Sequence, residues 1–242
     1  MNLVVDIGNT MVKYGVFDKN RLLIDQSSES ALFLTMVKEI FEVYPKIERA
    51  ILSSVADTGK KEYEVLSLFC KVHRLSHESK FPFKNRYATP TTLGLDRIAL
   101  AAAAFYHDPQ GNTLVIDAGT CITYDVVNAQ AEYLGGAISP GLRMRYTAMN
   151  EQTAKLPLLK PSDQEQLVGD STAASMHSGA INGTASEIDG MIDKYQSHFS
   201  HLTVILTGGD ALFFAKRLKN SIFANSNFLL EGLNYLLEYN KI

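Results

Sequence analysis

The chain carries one short pattern twice. Residues 3–10 read LVVDIGNT and residues 114–120 read LVIDAGT. Asp6 therefore matches Asp117, and Gly8 matches Gly119, at a single offset of 111 residues. Each copy is a β-branched apolar run that ends in Asp and Gly. Each is followed by more strand-like sequence, MVKYGVFD after the first and CITYDVVN after the second. Strand, tight turn and strand make a hairpin, with the glycine expected to supply the turn's unusual backbone angles. Two apolar strands can match by chance, but the same Asp and Gly at both strand ends argue for duplication. Repetition at about half the chain length implies two similar domains with a cleft between them. The expected division is 1–110, with the first turn, and 111–242, with the second. The last helix is then free to pack back on the first domain.

The remaining segments supply helices to pack on these strands. ALFLTMVKEIFEVY, residues 31–44, has the spacing of an amphipathic helix, and AILSSV, residues 50–55, reads as a strand. A polar stretch with Pro82 and Pro90 leads to the alanine-rich run DRIALAAAAFY, residues 96–106. Alanine forms helices best and lets another backbone approach closely. GGAISPGLRMRYTAM reads as a short strand that turns at Pro140 and Gly141 into a helix. Residues 171–195 form a helix of small residues capped by Ser171, TVILTGG is a buried strand, and residues 227–239 close the chain as a helix. Strands and helices mixed on both sides of a repeat give an α/β architecture.

Composition narrows the function. With 242 residues, 46% hydrophobic and 20% charged, the chain has ample apolar material for a core. The net charge of −3 and the lack of a Lys/Arg tract argue against nucleic acid as a partner. The start, MNLVVDIGNT, lacks a basic leader and has Asp6 in its first apolar run, so no secretory signal is expected. No run approaches 18 apolar residues, so no membrane span is expected either. Cys70 and Cys121 are far apart, which suits a reduced, cytoplasmic setting. Cys70, His73 and His77 lie close in sequence but lack a companion cluster, and packing or surface roles suit them better than a metal.

The two turns can hold phosphate. Gly8 removes a side chain that would keep phosphate from backbone N–H groups, while Asn9 and Thr10 add polar donors. Lys13 adds a cation. Asp6 could hold hydrated Mg²⁺ beside the same phosphates, since Mg²⁺ keeps waters and takes few carboxylates. The second turn, residues 117–120, would supply a facing cradle, with Thr207, Gly208 and Gly209 available for a nucleoside. Neither GxxxxGK[ST] nor a strand-to-helix GxGxxG occurs. Asp96 and Arg97, in TPTTLGLDRIAL, admit two readings. One is a helix start whose acid suits the dipole. The other is a carboxylate base for an alcohol beside a guanidinium anchor for an acidic substrate.

Taken together, DIGNTMVK, Tyr87 followed by TPTTLGLDR, DAGTCITYD, GGAISPGL, AKLP, GDST and LTGGDA resemble the type III pantothenate kinases in order and spacing across nearly the whole chain. That family belongs to the acetate and sugar kinase, Hsp70 and actin superfamily. The resemblance implies two duplicated actin-like (ribonuclease H-like) domains and ATP-dependent phosphorylation of the pantothenate 4′-hydroxyl, the first step toward coenzyme A. It assigns Asp6, Ile7, Gly8, Asn9, Thr10, Met11, Val12, Lys13 and Thr120 to ATP. It assigns Tyr87, Gly94, Leu95, Asp96, Arg97 and Thr172 to pantothenate, with Asp96 as proton acceptor. Asp117 would hold a monovalent cation, potassium or ammonium, and Mg²⁺ would accompany ATP. It also implies a homodimer, with the alanine-rich helix at the interface through Ala102 and Ala103; the alternative is simple burial of this helix within one domain. The competing readings are another small-molecule kinase or phosphatase on this fold, and an ATP-binding regulator without catalysis. Loss of Asp6, Asp96 or a turn glycine would favour the regulator, and none is lost.

Overall fold

A computed structural model describes residues 1–8, 11–54, 59–163 and 166–241. Asn9, Thr10 and the expected strand end Val55 lie outside the described residues. In chain order the elements are β1 (Asn2–Ile7), β2 (Val12–Asp18), β3 (Arg21–Ser28), α1 (Phe33–Val43), β4 (Arg49–Ser54) and α2 (Lys60–Ser67). There follow β5 (Lys71–Arg74), β6 (Lys84–Asn85), α3 (Leu95–His107), β7 (Asn112–Ala118), β8 (Cys121–Asn128) and β9 (Glu132–Pro140). The chain continues through α4 (Leu142–Glu151), α5 (Thr172–His198), β10 (Leu202–Thr207), α6 (Ala211–Ala215), β11 (Phe223–Ala224) and α7 (Phe228–Tyr239). They form two compact units. One comprises Met1–Gln110, Gln130–Leu134 and Asn227–Ile242; the other comprises Gly111–Ala129 and Gly135–Ser226.

The duplication seen in the sequence is also a duplication of topology. The first sheet runs β3-β2-β1-β4-β5, and the second unit repeats it as β9-β8-β7-β10-β11. In each, the first strand pairs antiparallel with its hairpin partner and parallel with the strand that arrives later: β1 with β2 and β4, β7 with β8 and β10. All six residues of β1 are buried, as an inner strand with apolar runs requires. Helix α1 covers the first sheet through Phe33, Val37 and Ile40, spaced for one helical face. Helix α5 starts where Ser171 Oγ accepts the Ala174 N–H at 3.2 Å, and its Ala180, Ile181, Ile188 and Ile192 enter the second unit's core. In the first unit, β6 pairs in parallel with Glu132 and Tyr133 at the start of β9.

Three expectations change. The stretch around residues 60–74, read only as polar connection, holds α2 and β5, with β5 in register beside β4. Strand β9 is nine residues long and not a short strand, because it begins upstream of the two glycines. The third correction concerns the alanine-rich helix. Every residue of α3 from 97 to 104 is buried, and 99–104 are 0% exposed. Their close approach is to α7 of the same unit, so Ala102 and Ala103 offer no surface to a second copy. Gly232 of α7 lies so near that a Cβ there would stand 2.0 Å from the Ala99 carbonyl oxygen. Further along α7, Asn234 and Glu238 accept hydrogen bonds from the Asn2 side chain at 2.8 and 2.6 Å. Among the described residues no helix is long and apolar enough to cross a membrane.

Gly232→Ala sets two effects against each other. Helix propensity favours alanine by about 1 kcal/mol. The overlap with backbone forces α7 away from α3, and overpacking of this kind costs about 1–3 kcal/mol or more. The overlap wins, because its partner is a carbonyl and cannot rotate aside. We expect a net loss of roughly 2 kcal/mol in urea denaturation; an unchanged or raised midpoint would show that the two helices separate freely.

Candidate active site

Asp6 stands one residue before the end of β1. The register places Ser53 of β4 opposite it on one side and Lys13 of β2 on the other. Directly opposed residues on neighbouring strands share a face, so the carboxylate lies between a hydroxyl and an ammonium. It is 7% exposed, and its Oδ1 has no hydrogen-bond partner among the described residues. Burial pushes the carboxyl up to about 6, against the hydrogen bond from Ser53. The negative charge of Asp96 pushes it further up and Lys13 draws it down. Asp96 and Asp6 are thus electrostatic neighbours although 90 residues separate them in sequence.

Asp96 owes its position to its neighbours. Helix α3 begins after Gly94, and the Asp96 carboxylate folds back over that glycine. A Cβ on Gly94 would stand 2.3 Å from Asp96 Oδ1. The same oxygen accepts the Arg97 N–H at 2.8 Å. First-turn N–H groups favour a negative charge here. Arg97 is 5% exposed, with its guanidinium carbon 5.5 Å from the centroid of the Tyr87 ring, a cation–π arrangement. Tyr87 is fixed in turn: its N–H donates to Asn85 Oδ1 at 2.9 Å, and Asn85 belongs to β6. The first unit thereby gathers Asp6, Lys13, Tyr87, Gly94, Asp96 and Arg97.

The second turn is built differently from the first. Pairing of β1 with β2 closes at Ile7 and Val12, whereas pairing of β7 with β8 closes at Ala118 and Ile122, so the second turn is one residue shorter. The Gly8 N–H donates to the Met11 carbonyl at 3.1 Å and the Gly119 N–H to the Cys121 carbonyl at 3.0 Å. Each turn glycine thus spends its own N–H on the turn. Neither adopts a left-handed φ, which corrects the expectation that these glycines supply unusual angles. That conformation belongs to Gly208, at φ 98°. A Cβ there would meet Asp117 Oδ1 at 2.3 Å and the Ala118 carbonyl oxygen at 2.5 Å. Gly141 closes the other flank by donating its N–H to the Thr120 carbonyl at 3.1 Å. Asp117, Thr120 and the TGG segment therefore converge in the second unit. Asp210 follows them, its carboxyl raised by burial against the pull of Arg143.

The family model described as type III pantothenate kinase matches residues 2–194. The chain is also 50% identical to the type III pantothenate kinase of Flavobacterium johnsoniae, over 99% of this chain and 98% of that one. The chain belongs to the type III pantothenate kinase family. Among solved structures, a Campylobacter jejuni protein described as a Baf family transcriptional activator is similar at TM-score 0.67 and 22% identity, over 98% of both chains. A Sinorhizobium meliloti protein assigned as a 2-dehydro-3-deoxygalactonokinase matches at TM-score 0.60 and 12% identity, over 99% of both. These two show the fold, a duplicated actin-like α/β architecture.

In this member of the type III pantothenate kinase family, the residues singled out from sequence divide between the units. Asp6, Ile7, Gly8, Met11, Val12, Lys13, Tyr87 and residues 94–97 lie in the first; Asp117, Thr120 and Thr172 lie in the second. Asn9 and Thr10 are outside the described residues. Ile7 and Val12 are buried, so their side chains serve the core and their backbone faces the turn. Thr172 opens α5 and is exposed, as is Thr120. His73 and His77 have other partners, Ser79 Oγ at 3.0 Å and the Leu93 carbonyl at 2.8 Å. Sequence reasoning missed Ser53. Its signal was a hydroxyl within the apolar strand AILSSV.

The raised Asp6 carboxyl makes a prediction about ligand-free stability. Its folded value, about 6, exceeds the ordinary 3.8. Its contribution is therefore fully present below pH ~4 and is lost as pH rises through ~6. The shift corresponds to a loss on the order of 3 kcal/mol. Asp6→Asn removes this titration, so the variant should gain stability over the ligand-free wild type as pH goes from 4.5 to 7.5. Urea denaturation at several pH values checks this; parallel curves for the two proteins would show that Asp6 titrates normally.

Proposed function

We infer that the protein transfers the γ-phosphoryl group of ATP to the 4′-hydroxyl of pantothenate, the first step toward coenzyme A. Family membership supports this reaction. The observation that carries it is the juxtaposition of the buried Asp6 carboxylate with Asp96 at the start of α3. Asp96 accepts the hydroxyl proton. The alcohol oxygen forms a bond to the γ-phosphorus as the bond to the bridging oxygen breaks, and ADP leaves. Residues 6–13 and Thr120 hold ATP. Tyr87, Gly94, Leu95, Asp96, Arg97 and Thr172 hold pantothenate, with the Arg97 guanidinium on its carboxylate. Arg suits a carboxylate because its fork matches two oxygens.

Two cations fit these residues. The buried Oδ1 of Asp6, which has no hydrogen-bond partner among the described residues, suits Mg²⁺ carried by ATP. Mg²⁺ supplies neutralisation of the charge on the transferring phosphates. Asp117, whose Oδ1 lies where a side chain at position 208 would stand, suits a monovalent cation, potassium or ammonium. A homodimer and a cytoplasmic location complete the reading, with the dimer using a surface other than the buried alanines of α3. The reading of the chain as a regulator has no observation in its favour, because Asp6, Asp96, Gly8 and Gly119 are all present.

The direct test is incubation with ATP, Mg²⁺, potassium and pantothenate, followed by mass spectrometry for phosphopantothenate. Asp96→Asn should keep the fold and nucleotide binding while turnover falls roughly 10²–10⁴-fold. Near-normal turnover in that variant would remove Asp96 from the chemistry. Exchange of potassium for sodium at matched ionic strength should lower activity, and Asp117→Asn should abolish the response to added potassium. Equal rates in potassium, sodium and a bulky organic cation at matched ionic strength would exclude a monovalent-cation site.

A further inference from the structure

Ser53 is an unusual choice for its position. It lies in the inner strand β4, in the run Ala50, Ile51 and Leu52, and is 1% exposed. A buried hydroxyl in a sheet is costly without a partner, and valine would fill the place better for packing alone. Its partner is the Asp6 carboxylate, directly opposite in the parallel register. The hydrogen bond occupies one side of that carboxylate, while Oδ1 remains buried and without a partner among the described residues.

The second unit repeats the arrangement. Thr207 of β10 is 2% exposed and stands in parallel register with Asp117. The two strands that carry these hydroxyls have equivalent places in the two sheets. A hydroxyl beside the aspartate therefore occurs in both copies, each time after the same Ile-Leu pair, in AILS at residues 50–53 and VILT at residues 204–207.

We propose that Ser53 is a positioning residue for phosphoryl transfer, one that fixes the Asp6 carboxylate so that its second oxygen is presented to the magnesium–nucleotide. A buried carboxylate with two unpartnered oxygens would turn toward Lys13 or lie in several orientations. With Ser53 holding one oxygen, a single orientation is set before the nucleotide arrives. Ser53 itself touches neither substrate, so its effect falls on nucleotide affinity and not on pantothenate. The proposal rests on the reading of Asp6 as a nucleotide-binding residue.

The test compares Ser53→Thr with Ser53→Val, two side chains of the same shape that differ in the hydroxyl, alongside Ser53→Ala. Calorimetric titration with Mg–ADP reads binding without turnover. The Ala and Val variants should bind Mg–ADP about tenfold more weakly than wild type, as expected for a lost hydrogen bond to a charged group. Thr should bind within about twofold of wild type. The KM for pantothenate should stay within about twofold in Ala and Thr. Equal affinities in Thr and Val would overturn the proposal. So would normal Mg–ADP binding in Ala together with a lowered melting temperature, since Ser53 would then serve the fold alone. If Thr and Val are both too crowded to fold, the Ala titration still decides. Wild type that binds no Mg–ADP would instead overturn the nucleotide site itself.

Discussion

The structure turns on a carboxylate kept inside a sheet. Asp6 lies one residue from the end of a wholly buried strand, after the apolar run Leu3, Val4 and Val5, with Ser53 and Lys13 opposite it on the two neighbouring strands. Isolated burial of a charged carboxylate is strongly unfavourable. Ser53 and Lys13 offset part of that cost, and the remainder appears as a carboxyl that releases its proton reluctantly. A group in this condition is poised for a cation, because a bound cation supplies what the protein interior withholds. The rest of the first unit serves this end of β1: Gly94 gives the Asp96 carboxylate its room, and Tyr87 braces Arg97 behind it.

The second copy of the motif shows how duplication and divergence work on one backbone plan. The strand order and the parallel partner are the same in both sheets. The turn is shorter by a residue, and the aspartate's Oδ1 lies against Gly208, just past the end of the neighbouring strand β10. Two carboxylates of common origin thus meet different surroundings. Asp6 sits among Ser53, Lys13 and Asp96, whereas Asp117 faces Thr123 and Thr207 in register and the bare Cα of Gly208.

Much of this was legible in the sequence, for identifiable reasons. The hairpins declared themselves because Asp and Gly recur at one offset and strand periodicity continues on both sides. Helix α5 was legible from Ser171, a cap whose hydrogen bond needs only adjacent residues. Long-range facts were not legible. Ser53 matters because a parallel pairing brings it to Asp6, and no local pattern encodes that pairing. The alanines of α3 correctly signalled close approach of another helix but carried no label for which one; Gly232 of α7 is the partner within the chain. The glycines of the two turns were misread because a turn can close through the backbone hydrogen bonds of Gly8 and Gly119 without either glycine adopting a left-handed φ. Helix α2 was passed over because its charged sequence, KKEYEVLS, buries little besides Leu66.

The return of α7 to the first unit has a consequence for how the chain is made. Asn2 and Asn234 are hydrogen-bonded across 232 positions, and α3 buries its alanines against α7. During synthesis the first sheet emerges early, yet the helix that covers α3 is translated only after the second unit. The second unit, whose segments lie between, can complete its own core before the first unit can complete its own. Until α7 arrives, the nascent chain exposes a smooth apolar helix surface, the kind of surface that chaperones bind and that drives association of incomplete chains. Closing so long a loop adds only a modest entropic cost, since that cost grows with the logarithm of length. The demand this architecture makes is therefore one of timing, met at the ribosome, more than one of stability in the finished molecule.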